Sequence, residues 1–224
     1  MKLSIIIPTL NEARQIEATL LALAPIRARG VQIIVADGGS ADQTVELARP
    51  LADCVVTATR GRAYQMNQGA DQADGDTLLF LHADTRLPSD ADDLLSSALD
   101  SGKISWGRFD VAISGRSPLL KIIAALMNLR SRLSGIATGD QAIFVQRALF
   151  ESIGGFPLQP LMEDIELSRR LKRHSPPTCL RARVTTSGRR WEAHGIWRTI
   201  ALMWWLRLQY FIGVPVDQLA RHYH

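Results

Sequence analysis

Apolar residues in the first hundred positions fall into short unbroken runs. Each is followed by a polar turn and then by apolar residues at helical spacing. Leu3 to Ile7 is the first run, closed by Pro8, and reads as a fully buried strand. Ile16, Leu20 and Leu23 then mark one face of a helix. Val31 to Ala36 is a second buried run, ending in Asp37-Gly38-Gly39-Ser40, where Ser40 and Gln43 have capping-box spacing for a helix. Cys54 to Ala58 reads as a third strand, Gly61 to Ala70 as a helix and Thr77 to Leu81 as a fourth strand. Ser89 with Asp92 suggests another helix start. This rhythm predicts a parallel sheet with right-handed crossovers, whose ligand crevice lies beyond the carboxyl ends of the strands.

The pattern changes after residue 100. Gly107 to Ser114 alternates as a strand, Ser117 to Leu133 is a long helix with Arg130 and Arg132 near its end, and Gln141 to Val145 is a strand. Gly154-Gly155-Phe156-Pro157 reads as a turn, Glu163 to Arg173 as a helix and Leu180 to Thr186 as a last strand. A Trp-rich helix follows. No internal repeat or linker separates two domains. The expected division is a catalytic domain over 1–190, with halves 1–100 and 101–190, and a helical extension over 191–224.

With 46% hydrophobic and 21% charged residues, the chain can fill a core and is not a disordered protein. A net charge of +4 suits an anionic ligand such as a nucleotide diphosphate, or an anionic membrane surface. It does not argue for nucleic acid, and no recognition module for it is present. Cys54 and Cys179 have no metal or disulfide spacing and read as buried thiols in a reducing compartment. A strand pattern directly after Lys2 leaves no secretory leader, so a cytoplasmic location is expected. Arg198 and Arg207 interrupt the apolar run from Ile196 to Val214 and argue against a spanning helix.

The polar residues just past the strand ends are the candidates for chemistry: Thr9, Asn11, Glu12, Asp37, His82 and Asp84. The first turn, Pro8-Thr9-Leu10-Asn11-Glu12, lacks the glycines of a dinucleotide fold or a P-loop, which argues against a dehydrogenase and a P-loop NTPase. His82 and Asp84 point the same way in an extended segment and could reach one ion or one diphosphate. Their plainer reading is an ordinary loop. Gly61-Arg62 opens a helix, where an N-terminus plus guanidinium suits a diphosphate. Asp37 could bond a base or ribose, or simply hold a turn. Glu163 and Asp164 open another helix, as a general base or as acids favoured by the dipole.

Taken together and in order, these segments resemble the family-2 glycosyltransferases of GT-A fold. The matching blocks are Ser4 to Glu12, Val35 to Ser40, Gly61-Arg62-Ala63 with Asn67 to Ala70, Phe80 to Thr85, and Gly154-Gly155-Phe156 with Glu163 to Leu167. The resemblance implies an α/β fold with a mostly parallel central sheet flanked by helices, and transfer of a sugar from a nucleotide-diphosphate donor to a hydroxyl acceptor, with inversion. It implies that Pro8, Thr9, Glu12 and Asp37 line the base and ribose pocket, and that Arg62 sits near the base or diphosphate. Asp84 would match the last acid of a D-x-D metal motif and Asp164 the base, with Glu163 beside it. His82 replaces the usual first acid, which makes manganese more plausible than magnesium. His194 is a further candidate metal ligand, with a surface or capping role as its plainer reading. Thr186 to Trp191 and Gly213 to Tyr223 also resemble a compact bacterial subgroup, some members of which are associated with arsenosugar biosynthesis. A nucleotidyltransferase and a non-catalytic nucleotide- or membrane-binding protein of the same fold are the alternatives.

Trp197, Ile200, Trp204 and Leu208 repeat at helical spacing near Arg198, Arg207 and Arg221. The functional reading is an interfacial helix that meets a lipid-linked acceptor, with peripheral contact at the inner membrane face. The competing expectation is a helix packed on the catalytic domain or on a second copy. Apolar residues around much of its circumference favour burial.

Overall fold

Four apolar runs build the first half of the sheet because each can be covered on both faces. A computed structural model describes residues 1–99 and 104–222, with the side chain of His194 left aside. Strands β1 (Leu3–Thr9), β2 (Gln32–Asp37), β3 (Cys54–Thr57) and β4 (Thr77–Phe80) are parallel, in the order β3-β2-β1-β4. Ile5 and Ile7 point into one apolar cluster and Ile6 into another, so the alternation of the strand feeds two cores. Helices α1 (Ile16–Ala28) and α4 (Ala91–Leu99) cover the first face, and α3 (Arg62–Asp71) covers the second. Pro8 is tolerated inside β1 because β4 pairs only as far as Ile6. Gly69 lets α3 approach β1, since a Cβ there would meet the Ile6 side chain at 2.5 Å.

The second half continues the same sheet, giving the full order β3-β2-β1-β4-β7-β6-β8-β5. Short β5 (Thr85–Arg86) and the helix α2 (Thr44–Ala48) belong to the first half. Strand β6 (Trp106–Ser114) leads into α5 (Leu119–Ser134), and β7 (Ile143–Gln146) into α6 (Arg147–Ser152). Helix α7 (Glu163–Leu171), β8 (Thr178–Ser187) and helices α8 (Arg189–His194), α9 (Ile196–Phe211) and α10 (Val216–Arg221) complete the chain. Strand β7 is antiparallel to both β4 and β6, while β8 is parallel to β6. Strands β1, β2, β3, β4, β6 and β8 therefore run one way, and their carboxyl ends share one rim. Because β7 is reversed, its amino end joins that rim instead.

Several local expectations change. The capping box of Ser40 and Gln43 does not form: the Ser40 hydroxyl is held by Asp37, and α2 starts at Thr44. Asp42 takes the capping role, accepting the Thr44 N–H at 3.0 Å. The helix start expected at Ser89 and Asp92 is found, with α4 beginning at Ala91, and Asp92 also pairs with Arg29 at 2.5 Å. Cys54 and Cys179 are free thiols, but half-buried rather than buried. The expectation of a buried α9 is also corrected. Only Thr199 and Leu206 of this helix are buried, and Trp197, Trp204, Trp205, Leu208 and Phe211 are exposed. Leu206, fully buried in a cluster with Leu161, Met162 and Leu219 and flanked by Leu202 and Tyr210, fastens α9 to the entrance of α7. Helix α5 also presents an exposed apolar stripe, Ile122, Leu126, Leu129 and Leu133, at helical spacing. Among the described residues no helix is long and apolar enough to cross a membrane.

Candidate active site

At the ends of β1 and β2 the backbone is held by its own polar residues. The Asp37 carboxylate, 3% exposed, accepts the Thr9 hydroxyl at 3.3 Å and the Gly39 and Ser40 N–H groups at 2.9 and 2.8 Å, together with the Ser40 hydroxyl. Ser40 in turn accepts the Asn11 N–H at 2.8 Å, and the Asn11 side chain accepts the Ala41 N–H at 2.9 Å. Gln65 of α3 donates to the carbonyls of Thr9 and Ala36, at 2.5 and 3.0 Å. Thr9 and Asp37 thus brace two loops. Both are buried, and half-buried Pro8 precedes them in β1.

Glu12, half-buried, lies past this brace. Burial pushes its carboxyl up, and the negative charge of Asp84 adds to that effect against Arg189, Arg62 and His82. The Glu12 and Asp84 charges therefore act on each other, although 72 positions separate them in the chain. His82 sits with its imidazole Nδ1 3.4 Å from Asp140, in the 3-10 turn Gly139–Gln141 just before β7. The reversal of β7 brings that acid to the rim. Gly139 is required there, because a Cβ would collide with the His82 ring. Burial is the largest single influence on Asp140 and pushes its carboxyl up. With 43% of the side chain exposed it is outweighed by the His82 hydrogen bond and by the charges of His82, Arg62 and Arg190, and the carboxyl is held low.

The far wall is the start of α7. Met162 takes a left-handed turn (φ 62°) and places Glu163 and Asp164 at the helix N-terminus. Asp164 accepts the Gly139 N–H at 2.9 Å and the Ile165 N–H at 2.7 Å. Glu163 is 6% exposed. Burial and then the Asp164 charge push its carboxyl up, against Arg62 and His82. A small pocket opens between Met66, Phe80, His82, Phe156, Glu163 and Asp164. Its floor is fixed by Asn67 of α3, which donates to the Phe156 carbonyl and accepts its N–H, both at 2.9 Å. The predicted residues Glu12, Arg62, His82, Asp84, Glu163 and Asp164 are brought together, and Thr9 and Asp37 brace the same rim. His194 falls outside the described side chains.

Five contributors to this site were not among the residues expected from the sequence. Asp140 carried a signal, the Thr138-x-x-Gln141 capping box that the 3-10 turn forms. Arg189 and Arg190 follow β8 and reach the same acids. Arg130 of α5 and Arg207 of α9 had no local signal at all. Burial, then the positive charge of Arg207, pushes the Arg130 guanidinium down to about 10, while Asp164 opposes the shift. Burial likewise lowers Arg207, against Asp164 and Asp140. Nε and Nη2 of Arg130 and Nε of Arg207 are buried without a hydrogen-bond partner among the described residues.

No group of three or more His, Cys, Asp or Glu side chains among the described residues converges as a ready-made metal cage. Glu12 and Asp84, whose charges act on each other, are the carboxylates that could share a hard divalent cation with waters and a phosphate as its remaining ligands.

Comparison with known proteins agrees with this geometry. Residues 4–148 match the model of Glycosyl transferase family 2. A glycosyltransferase of PGL/p-HBAD biosynthesis from Mycobacterium tuberculosis is 34% identical over 168 residues, covering 70% of this chain and 63% of its own length. The chain thus spans less than two thirds of that relative. Among solved structures, Staphylococcus aureus TarS 1-349 in complex with UDP-GlcNAc is similar with a TM-score of 0.68 at 21% identity, over 84% of this chain and 58% of its own. The mannosyltransferase PcManGT of Pyrobaculum calidifontis, in complex with GDP-Man and Mn2+, gives a TM-score of 0.61 at 22% identity, over 82% and 56%.

Proposed function

The chain belongs to glycosyl transferase family 2, and from that premise we propose that it transfers a sugar from a nucleotide-diphosphate donor to an acceptor hydroxyl, with inversion. The observation that carries the reading is the convergence of Glu12, Asp84, Asp140, Glu163 and Asp164 with Arg62 and His82 at one rim of the sheet. An acidic rim crossed by guanidinium groups suits a donor that brings a diphosphate and, with it, a divalent cation. The mycobacterial relative's role and the UDP- and GDP-sugar complexes of the structural neighbours support the same donor class.

The braced loop of Thr9, Asp37 and Ser40 offers a rigid edge for base and ribose, and rigidity is what makes positioning effective. Arg62, at the start of α3, adds a positive charge and a helix N-terminus on the diphosphate side. Asp84, with Glu12, is the carboxylate pair that would hold Mn2+ or Mg2+; bound there, the ion would neutralise charge on the leaving diphosphate. Asp164 removes the proton from the acceptor oxygen as that oxygen bonds to the anomeric carbon and the carbon–phosphate oxygen bond breaks. Two backbone N–H groups orient its carboxylate. Glu163 is buried beside it, and burial together with the Asp164 charge pushes its carboxyl up. The resemblance of Thr186 to Trp191 and of Gly213 to Tyr223 to a compact bacterial subgroup is what supports a place in arsenosugar biosynthesis as a narrower form of this reading.

The test is thermal unfolding with a panel of nucleoside diphosphates, with and without Mn2+. One diphosphate should raise Tm, more so with the metal. No response to any of them would overturn the reading.

A further inference from the structure

Four arginines lie on or near α5, and they divide sharply. Arg108, fully buried, bonds Ser131, the Phe109 and Asn128 carbonyls and Asp110. Arg132 pairs with the same Asp110 at 2.6 Å and reaches the Cys179 carbonyl. These two are structural, and every charge has an answer. Arg130 and Arg207 have none of this. Each buries guanidinium N–H groups that no described residue accepts, and they repel each other. A fold that satisfies Arg108 so fully and leaves this pair unanswered points to an acceptor group that arrives from outside.

Resting on the function proposed above, we propose that Arg130 and Arg207 form a subsite for a phosphate-type oxyanion carried by the acceptor substrate, next to Asp164. The charges that act on them differ from those that act on Glu12. The charges acting on Arg130 are Arg207, Asp164 and Arg108, and those acting on Arg207 are Asp164 and Asp140. Glu12 and Asp84 are not among them, whereas Glu12 does respond to Arg62 and Arg189. The acids that act on the pair are Asp164, at the start of α7, and Asp140, in the turn before β7. Planar guanidinium forks from two different helices match the oxygens of a single tetrahedral anion. An acceptor anchored there would present a hydroxyl to Asp164 in a fixed direction. The same chemistry serves a soluble phosphate ester or a lipid phosphate, and the apolar stripes of α5 and α9 flank the pair.

Inorganic phosphate is the probe, titrated against chloride at equal ionic strength, with and without saturating UDP and Mn2+. The wild-type Tm should rise with phosphate even when UDP is bound. R130Q and R207Q should unfold no lower than wild type in chloride, because an unanswered buried charge is removed, and should lose the phosphate response. UDP affinity should change by less than about twofold. R130K should keep part of the response. Loss of UDP binding together with the phosphate response would overturn the proposal, by assigning the pair to the donor. A phosphate response unchanged in both glutamine variants would overturn it as well. If wild type binds no UDP, the donor reading fails by itself, and the titration without UDP still tests the pair. Sedimentation with phosphatidic acid vesicles, against phosphatidylcholine alone, separates the sources. Binding lost in R130Q favours a lipid phosphate, and a phosphate response without vesicle binding favours a soluble one.

Discussion

The two sides of the candidate site are built in opposite ways. On the β1–β2–β4 side the loops are tied by satisfied polar groups: Asp37 holds Thr9, Gly39 and Ser40, Gln65 holds two carbonyls, and Asn67 clasps Phe156. On the α5–α9 side two guanidinium groups are buried unanswered, and apolar side chains face outward. The first side is finished before any ligand arrives, and the second is completed by what binds. That difference fits a donor class shared across a family and an acceptor that varies from member to member.

Breaking the chemistry should have the largest effect. Asp164→Asn should lower kcat about a thousandfold, the scale of a positioned base, with UDP affinity within about twofold of wild type. Steady-state kinetics and calorimetry check it, and unchanged turnover would remove the base assignment. On the finished side, Asp37→Ala removes the acceptor of four hydrogen bonds, and a loss of about 3 kcal/mol, or roughly 6–12 °C in Tm, is expected. A variant of normal Tm that no longer bound UDP would instead show Asp37 acting on the ligand alone.

On the unfinished side, Leu206→Ala should cost about 2 kcal/mol and act locally, because Leu206 fastens α9 to the start of α7. Hydrogen exchange should speed up in α9 and leave β1 unchanged. Equal acceleration in both would mean the two sides unfold as one unit. The smallest effect belongs to Glu163→Gln. The Glu163 carboxyl is raised in the folded state, so its cost is absent at low pH and appears as pH rises through that folded value. The variant should match wild type in acid and gain Tm toward neutral pH. A gain of equal size at all pH values would rule out ionisation as the cause.

The contrast also explains what the sequence could show. Runs such as Leu3 to Ile7 and Val31 to Ala36 betray buried strands, since a strand covered on both faces leaves no alternation. Glu12, Asp84 and Asp164 were legible because each follows a strand or opens a helix within a recognisable block. Asp140 was not, because its place depends on β7 running backward, and direction is a property of pairing across the sheet. Arg130 and Arg207 were invisible as a pair for the same reason. Helix α9 misled in the other direction: apolar residues around its circumference resemble those of a buried helix, yet Leu206 is its one buried apolar residue, and Trp197, Trp204, Trp205, Leu208 and Phe211 stay exposed.

The reversed strand β7 carries one more consequence, for how the polypeptide is made. Residues Thr77 to Phe80 emerge from the ribosome with β1 ready on one flank and nothing on the other, since Ile143–Gln146 is synthesised much later. Through that interval an apolar edge stands open to any passing chain. The nascent first half is therefore where a chaperone would be needed, and a fragment ending near residue 99 should aggregate.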